Sequence, residues 1–272
     1  MAWTRRRFLT TGIGATLALL LADAFWFEKA FIQKNEFSLK SSSSNKVGLK
    51  FIQISDLHLK SVNRQLRRLA EDVNQLRPDL IFLTGDAIDD ANKLPVLEEF
   101  LKLISFDLKK VAILGNWEYW SGINLENLRS IYAANNTDLL INEGKQYKFG
   151  NKTAMITGID DLVGGNANIT DALKHFKTSD CHIILNHCPQ YTETIVKKLT
   201  SINNASAIIS GHTHGGQVNL FGFVPYLPQG SGKYLQGWYD FGPTRMYVSR
   251  GIGTSLLPVR FGSRAEVAVF NI

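Results

Sequence analysis

Cysteine is nearly absent: Cys181 and Cys188 are the two in 272 residues. If the stretch between them is a strand running into a loop, its ends lie roughly 20 Å apart, whereas a disulfide needs Cα atoms within about 7 Å. Two free thiols are expected, with Cys181 a small buried hydrophobe. No CxxC pair occurs, so a structural zinc finger has no support. Gly164-Gly165 lacks a following Gly-Lys-Ser, which excludes a nucleotide P-loop. No internal repeat is present, and no dense basic stripe, so nucleic acid is not an expected partner. Charged residues are only 20% of the chain against 44% apolar, which excludes wholesale disorder and leaves material for a sizeable core. The net charge is +6, of which residues 1–24 hold +2, from Arg5, Arg6 and Arg7 against Asp23. The mildly basic remainder suits anionic substrates or an anionic membrane surface.

The N-terminus reads as an address. Arg5-Arg6-Arg7 precedes an apolar run, Thr10 to Leu21, and resembles a twin-arginine export signal, implying a twin-arginine translocase as partner. Ala22-Asp23-Ala24 offers a small-x-small cleavage site. Retention is the alternative, because Phe8 to Phe27 is about 20 residues long and could span a bilayer. The expected location is exported: periplasmic or on the outer face of the cytoplasmic membrane, free or anchored. Residues 41–46 are either a flexible linker or the turn of a hairpin, since alternation before them (Glu36 to Lys40) resumes after them (Leu49 to Ile52). Residues 1–34 are assigned to the signal or anchor and 35–272 to the folded domain.

Within that domain the pattern is β-α-β-α-β. Strands are predicted at Lys50 to Ser55, Leu80 to Thr84 and Val111 to Leu114, with helices at Asn63 to Leu76 and Leu94 to Phe106. Parallel strands with right-handed crossovers follow. Short strands are predicted around 139–142, 147–149, 153–158, 182–185, 207–209, 245–249 and 265–272, with helices at Thr170 to Phe176 and Thr192 to Leu199. The mixture indicates an α/β fold of two mixed β-sheets flanked by helices. Ligands in such folds collect at the carboxyl ends of strands.

At those ends sit short motifs: Asp56-Leu57-His58, Gly85-Asp86, Gly115-Asn116, Asn186-His187 and Gly211-His212-Thr213-His214. Four of the six histidines fall in this set. His175 and His182 fall outside it and read as a surface helix residue and a strand residue. Two Asp, one Asn and four His can ligate two metal ions, and a two-metal site with mixed nitrogen and oxygen ligands suits phosphate ester hydrolysis.

From about residue 48 to the C-terminus these motifs resemble the calcineurin-like metallophosphoesterase superfamily, whose pattern D-x-H, G-D, G-N-H-[DE], H, G-H-x-H is matched at every ligand position. The stretches Gly211 to Gln217 and Tyr247 to Thr254 look like its branch of exported bacterial phosphodiesterases. The resemblance implies a four-layer αββα sandwich. It implies that Asp56, His58 and His214 hold one ion, that Asn116, His187 and His212 hold the other, and that Asp86 bridges both. Bridging needs a carboxylate, which can offer one oxygen to each of two cations about 3.5–4 Å apart. The ions are divalent, with Mn, Fe and Zn all compatible with the ligand set.

The pattern breaks once. The family's G-N-H-[DE] reads Gly115-Asn116-Trp117-Glu118 here. The family histidine at that place protonates or stabilises the leaving group, and an indole cannot exchange a proton near neutral pH. A lost general acid costs about 10²–10⁴ in rate, and the loss falls on poor leaving groups. Phosphoanhydride or aryl-phosphate bonds are therefore favoured over alkyl phosphodiesters, and a nucleotide-sugar lipid or other lipid-linked phosphorylated molecule would suit both chemistry and location. Asp86, Asn116 and Glu118 are the candidate catalytic residues, Glu118 as an acid or as a partner of other groups. The alternative class is a catalytically weakened metal-binding protein that recognises phosphorylated envelope ligands. Aromatics cluster at 117–120 and 221–241, where they either pack a long loop or face a lipid surface. Arg245, Arg250, Arg260 and Arg264 either grip phosphates or are solvated charges.

Overall fold

The computed structural model describes residues 4–24, 28, 31–39, 47–200 and 204–272. In chain order the first elements are α1 (Arg5–Ala22), β1 (Gln33–Ser38), β2 (Lys50–Ile54), α2 (Arg64–Leu76), β3 (Leu80–Thr84), α3 (Leu94–Leu103) and β4 (Lys110–Ile113). There follow α4 (Asn116–Trp120), α5 (Leu125–Ala134), β5 (Thr137–Leu139), β6 (Glu143–Phe149), β7 (Lys152–Gly158) and α6 (Ile169–Ala172). The last are β8 (Cys181–Leu185), α7 (Thr192–Lys198), β9 (Ala207–Ser210), β10 (Gly237–Phe241), β11 (Thr244–Val248) and β12 (Glu266–Asn271).

The strands form two six-stranded mixed sheets, ordered β1-β12-β2-β3-β4-β5 and β10-β11-β9-β8-β7-β6. β2 through β5 run parallel in the first, and β7, β8, β9 and β11 in the second. Residues alternate across each strand. Leu80 and Phe82 of β3 enter the layer between the sheets, beside Ile183, Leu185 and Ile209. Ile81 and Leu83 point the other way, against Leu69 and Val73 of α2 and Phe100 of α3. A third layer packs Ile184 and Ile208 against Ile169 of α6 and Ile195 of α7. Both faces of each sheet are covered, which is why β3 reads as an unbroken apolar run. Truncating Phe82 to Ala would cost about 3–5 kcal/mol. The four layers are helix, sheet, sheet and helix.

Several elements differ from the sequence expectations. β1 and β2 do not form a hairpin. β1 pairs in parallel with β12, which stands between them. Five consecutive residues of β12 are buried, and so buried a strand needs a neighbour on each edge. Residues 41–46, the expected linker or turn, lie outside the described residues, as does part of the expected span from Phe8 to Phe27. Among the described residues no helix is long and apolar enough to cross a membrane.

α4, α5 and β10 were not expected. α5 starts at Asn124, whose side chain accepts from Asn127 N at 3.0 Å, and it buries Leu128 and Tyr132. β10 hides in a Gly-rich stretch because it is an edge strand. Its Trp238 packs on Phe37, Tyr247 and Phe270. The helix expected to reach Phe176 ends at Ala172, leaving His175 in an exposed turn. His182 is a buried residue of β8, its Nε2 2.9 Å from Thr157 Oγ1. Both cysteines are free and buried.

Candidate metal centre

The parallel strands of both sheets end at one edge, and each delivers a polar residue there. Asp56 follows β2, Asp86 follows β3, Asn116 follows β4, His187 follows β8 and His212 follows β9. The backbone is shaped for this. Asp56, His58, Asp86, His212 and His214 all have positive φ, between 42° and 76°. This left-handed region is unfavourable for residues with a Cβ, and such residues gather at functional sites. Gly115 is required for closeness: a Cβ there would collide with the Asp86 carboxylate.

Six of the seven expected ligands bring their ligand atoms together here, and the seventh, Asn116, lies on the turn that follows β4 at the same edge. Asp56, His58 and His214 bring ligand atoms within 4.8 Å of one another, as do Asp86, His187 and His212. His58 Nε2 and His214 Nε2 are 3.1 Å apart, and His214 Nε2 lies 3.7 Å from Asp56 Oδ1. Asp86 Oδ2 joins the groups, at 3.7 Å from His58 Nε2 and 3.3 Å from His187 Nε2. Its other oxygen accepts from Trp117 N at 2.9 Å. Asn116 is buried beside them, and its Oδ1 has no hydrogen-bond partner.

Hydrogen bonds set the histidine tautomers. His187 Nδ1 lies 2.8 Å from Thr84 O, and His212 Nε2 lies 2.8 Å from Gln229 O. Carbonyls only accept, so those nitrogens donate. In the neutral rings this leaves His187 Nε2 and His212 Nδ1 as bare lone pairs, and they face each other at 3.2 Å. Two lone pairs facing a buried carboxylate, with the unpartnered amide oxygen of Asn116 on the adjoining turn, are a donor set suited to divalent cations. The residues present thus fit a divalent metal pair.

Without a metal, the field of the carboxylates favours a proton on His187 instead. Burial works against charge on His187, but the Asp86 carboxylate outweighs it and raises the imidazole well above its ordinary value. Burial also pushes the Asp86 carboxyl up, yet His187, then His58 and His212, leave it below the usual carboxylate range. Burial, followed by His187, drives His212 down to about 4. Burial, then His58 and Arg260, keep His214 well below the ordinary histidine value. Burial raises Asp56 to about 6, despite His187.

Glu118 spends its oxygens on the backbone. Oε2 accepts from Asp86 N at 3.0 Å and Gly115 N at 2.8 Å, and Oε1 accepts from Ala87 N at 2.6 Å. It braces the turn carrying Asp86 against the turn carrying Asn116. Burial and the Asp86 charge push its carboxyl up to about 7, while the Gly115 and Ala87 amides pull it down. Trp117 is half-buried, its ring edge-on to His58 at 6.0 Å.

The four arginines divide. Arg260 is fully buried and donates to the carbonyls of Arg250, Gly253 and Ser263, with Nη2 3.3 Å from His214 Nδ1. It supports a histidine and is not free for phosphate. Arg250 pairs with Glu266 and the exposed Arg245 with Asp240, while Arg264 is exposed. The aromatics divide as well: Tyr234 is buried and Trp238 packs into the core, whereas Phe221, Phe223 and Tyr226 are exposed.

Sequence reasoning missed Asp160 and Asp161. Both are buried after β7. Tyr119 Oη donates to Asp160 Oδ1 at 2.5 Å, and Cys188 Sγ to Asp161 Oδ2 at 3.0 Å. They tie α4 and the residue after His187 to one loop. The signal was present, since Gly158-Ile159-Asp160-Asp161 repeats the strand-then-acid pattern of Ser55-Asp56 and Gly85-Asp86.

A family model described as calcineurin-like phosphoesterase matches residues 49–216. The metallophosphoesterase YkuE of Bacillus subtilis is 30% identical, with 99% of this chain aligned to 97% of that protein. The metallophosphoesterase Cj0846 of Campylobacter jejuni is 32% identical over 84% of this chain, which covers 60% of that longer protein. Among solved structures, TT1561 of Thermus thermophilus aligns with a TM-score of 0.50 at 12% identity, covering 75% of this chain and 90% of that one. At that identity the likeness is one of fold.

Proposed function

The chain belongs to the calcineurin-like phosphoesterase family, and from that premise we propose that it is a dinuclear metal-dependent hydrolase of phosphate ester or phosphoanhydride bonds whose leaving group is already a stable anion. The observation that carries the reading is the meeting of both ligand groups at Asp86 Oδ2, with Asn116 Oδ1 unpartnered beside them. Asp56, His58 and His214 would hold one divalent ion, Asn116, His187 and His212 the other, and Asp86 both. When bound, such a pair supplies an activated water and neutralises charge on the phosphoryl group.

The chain's own residues do the rest. Thr84 O and Gln229 O fix the tautomers of His187 and His212. Glu118 holds the Asp86 turn at its station. Trp117 occupies the family's acid position, beside His58, with no titratable proton to give. Bonds that need protonation on departure are therefore disfavoured. This supports a pyrophosphate or aryl-phosphate link over an alkyl diester. With the twin-arginine-like N-terminus it supports export and a lipid-linked or nucleotide-sugar substrate at the cell envelope.

The test is a panel of diesters graded by leaving-group acidity, assayed with added Mn²⁺. Turnover should rise steeply with leaving-group acidity, and Trp117→His should raise the alkyl substrate alone, by roughly ten- to a hundred-fold. Equal turnover of aryl and alkyl substrates by the unaltered enzyme defeats the leaving-group reading. Trp117 also motivates a second reading, a phosphate-recognising protein with weakened catalysis. Complete silence on bis-4-nitrophenyl phosphate with metal present would favour it.

A further inference from the structure

Two loops near the metal centre carry large apolar side chains into solvent. Phe221 is 98% exposed, Phe223 66% and Tyr226 62% on one, and Leu256 is 72% and Leu257 63% exposed on the other. Monomeric proteins rarely leave such contiguous groups bare without a partner. The loops are built as one knob. Gln217 donates to Leu257 O and accepts from Ser255 N, each at 2.8 Å. Val218 bridges Phe261, and the Phe221 ring meets the Phe261 ring edge-on at 6.5 Å.

The knob is joined to the catalytic groups. Gln217 lies three residues past His214, and Ser263 Oγ donates to His214 O at 2.6 Å. Thr254, at the root of the leucine loop, lines the cleft that holds His58. The N-terminal segment is fastened to the same place. Arg260 N donates to Ala24 O at 3.0 Å, and Gly262 N and Ser263 N donate to the Glu28 carboxylate at 3.0 and 3.1 Å. Beyond Ala24 the segment is α1, with Phe8, Leu9 and Ile13 exposed behind three arginines.

Charge identifies the partner. The two loops, residues 217–226 and 254–261, contain no Asp or Glu. The exposed Arg264 and Lys233 follow them in sequence, Lys233 with its Nζ 4.0 Å from Glu193. Apolar tips with a basic surround and no acid among them match an anionic lipid interface, where rings and leucines enter the acyl boundary and cations stay at the headgroups.

We propose that the 217–226 and 254–261 loops form a docking surface for an anionic bilayer, which sets the His58 cleft at the headgroup level and selects phosphorylated lipids as substrates. The substrate half of this rests on the hydrolase reading above.

The test uses the full chain and phosphatidylcholine vesicles with or without phosphatidylglycerol. Phe221→Cys is labelled with an environment-sensitive fluorophore, the native thiols being buried. Its emission should shift to the blue on anionic vesicles, more weakly on zwitterionic ones, and the shift should shrink with salt. In parallel, Phe221→Ser, Phe223→Ser, Leu256→Ser and Leu257→Ser are combined. Partition to anionic vesicles should fall roughly ten-fold or more, with hydrolysis of soluble bis-4-nitrophenyl phosphate retained. An unshifted label overturns the proposal, and so does a dimer of the unaltered chain that becomes monomeric in the combined variant, which would make a second copy the occupant. Absent turnover of the soluble substrate by the unaltered chain fails the hydrolase reading alone, because the label still reports docking.

Discussion

Glu118 spends both carboxylate oxygens on three backbone amides from two turns. Glu118→Gln places an amide NH₂ against at least one of those N–H groups, leaving a buried donor unpaired. Such a loss costs about 1–3 kcal/mol. The urea midpoint should fall accordingly and kcat with it, since Asp86 shifts. An unchanged midpoint would mean that the carboxylate braces nothing. Trp117 is the complementary case, a side chain whose consequence lies in what it cannot donate. At this scale the sequence was most legible. Asp56, His58, Asp86, Asn116, His187, His212 and His214 stand out because each follows an apolar strand. The structure brings them together. Asp160 and Asp161 obey the same rule but belong to none of the family motifs, so nothing drew attention to them. The roles of Arg260 and Gln229 were invisible, because a guanidinium enclosed by carbonyls and a backbone oxygen leave no trace in residue identity.

At the scale of elements, β4 opens on Lys110, fully buried, with its Nζ bonded to Leu108 O at 2.9 Å. Burial, with Lys109 adding to it, pushes the ammonium down to about 8 from its ordinary 10.5. Below about pH 8 the group is charged folded and unfolded, so burial opposes folding in full. Above about 10.5 it is neutral in both states and the opposition is gone. Its contribution to stability therefore improves as pH rises between these values. Lys110→Met should raise the melting temperature at pH 7, and the gain should shrink toward pH 10. An equal gain at both pH values would exclude the titration as its cause. Strands β2 to β4 and helices α2 and α3 were legible because both faces of the first sheet are covered and the helices show 3.6-residue spacing. β10 was not, because an edge strand in a Gly-rich stretch has no full apolar run. The pairing of β1 with β12 joins residues more than two hundred positions apart, and no local pattern encodes such a partner.

For the whole molecule, the decisive fact is that the candidate ligands come from both sheets. Asp56, His58, Asp86 and Asn116 follow strands of one, and His187, His212 and His214 follow strands of the other. Bound ions would therefore cross-link the sheets at their carboxyl edge. Chelation should lower the melting temperature, and restoring divalent metal should raise it, with about 2.7 kcal/mol gained at a hundred-fold excess over Kd. A melting temperature indifferent to chelator, with elemental analysis confirming metal loss, would contradict the cross-link. The sequence by itself determined the layered α/β class, the strand ends and the residue types gathered there, because periodicity and side-chain chemistry are local properties of the chain. Only the tertiary structure decided that β12 stands between β1 and β2, that Asp86 Oδ2 lies between two histidine pairs, and which aromatics of the long loop are buried and which are bare. Those outcomes depend on distances between residues far apart in sequence, and packing sets those distances.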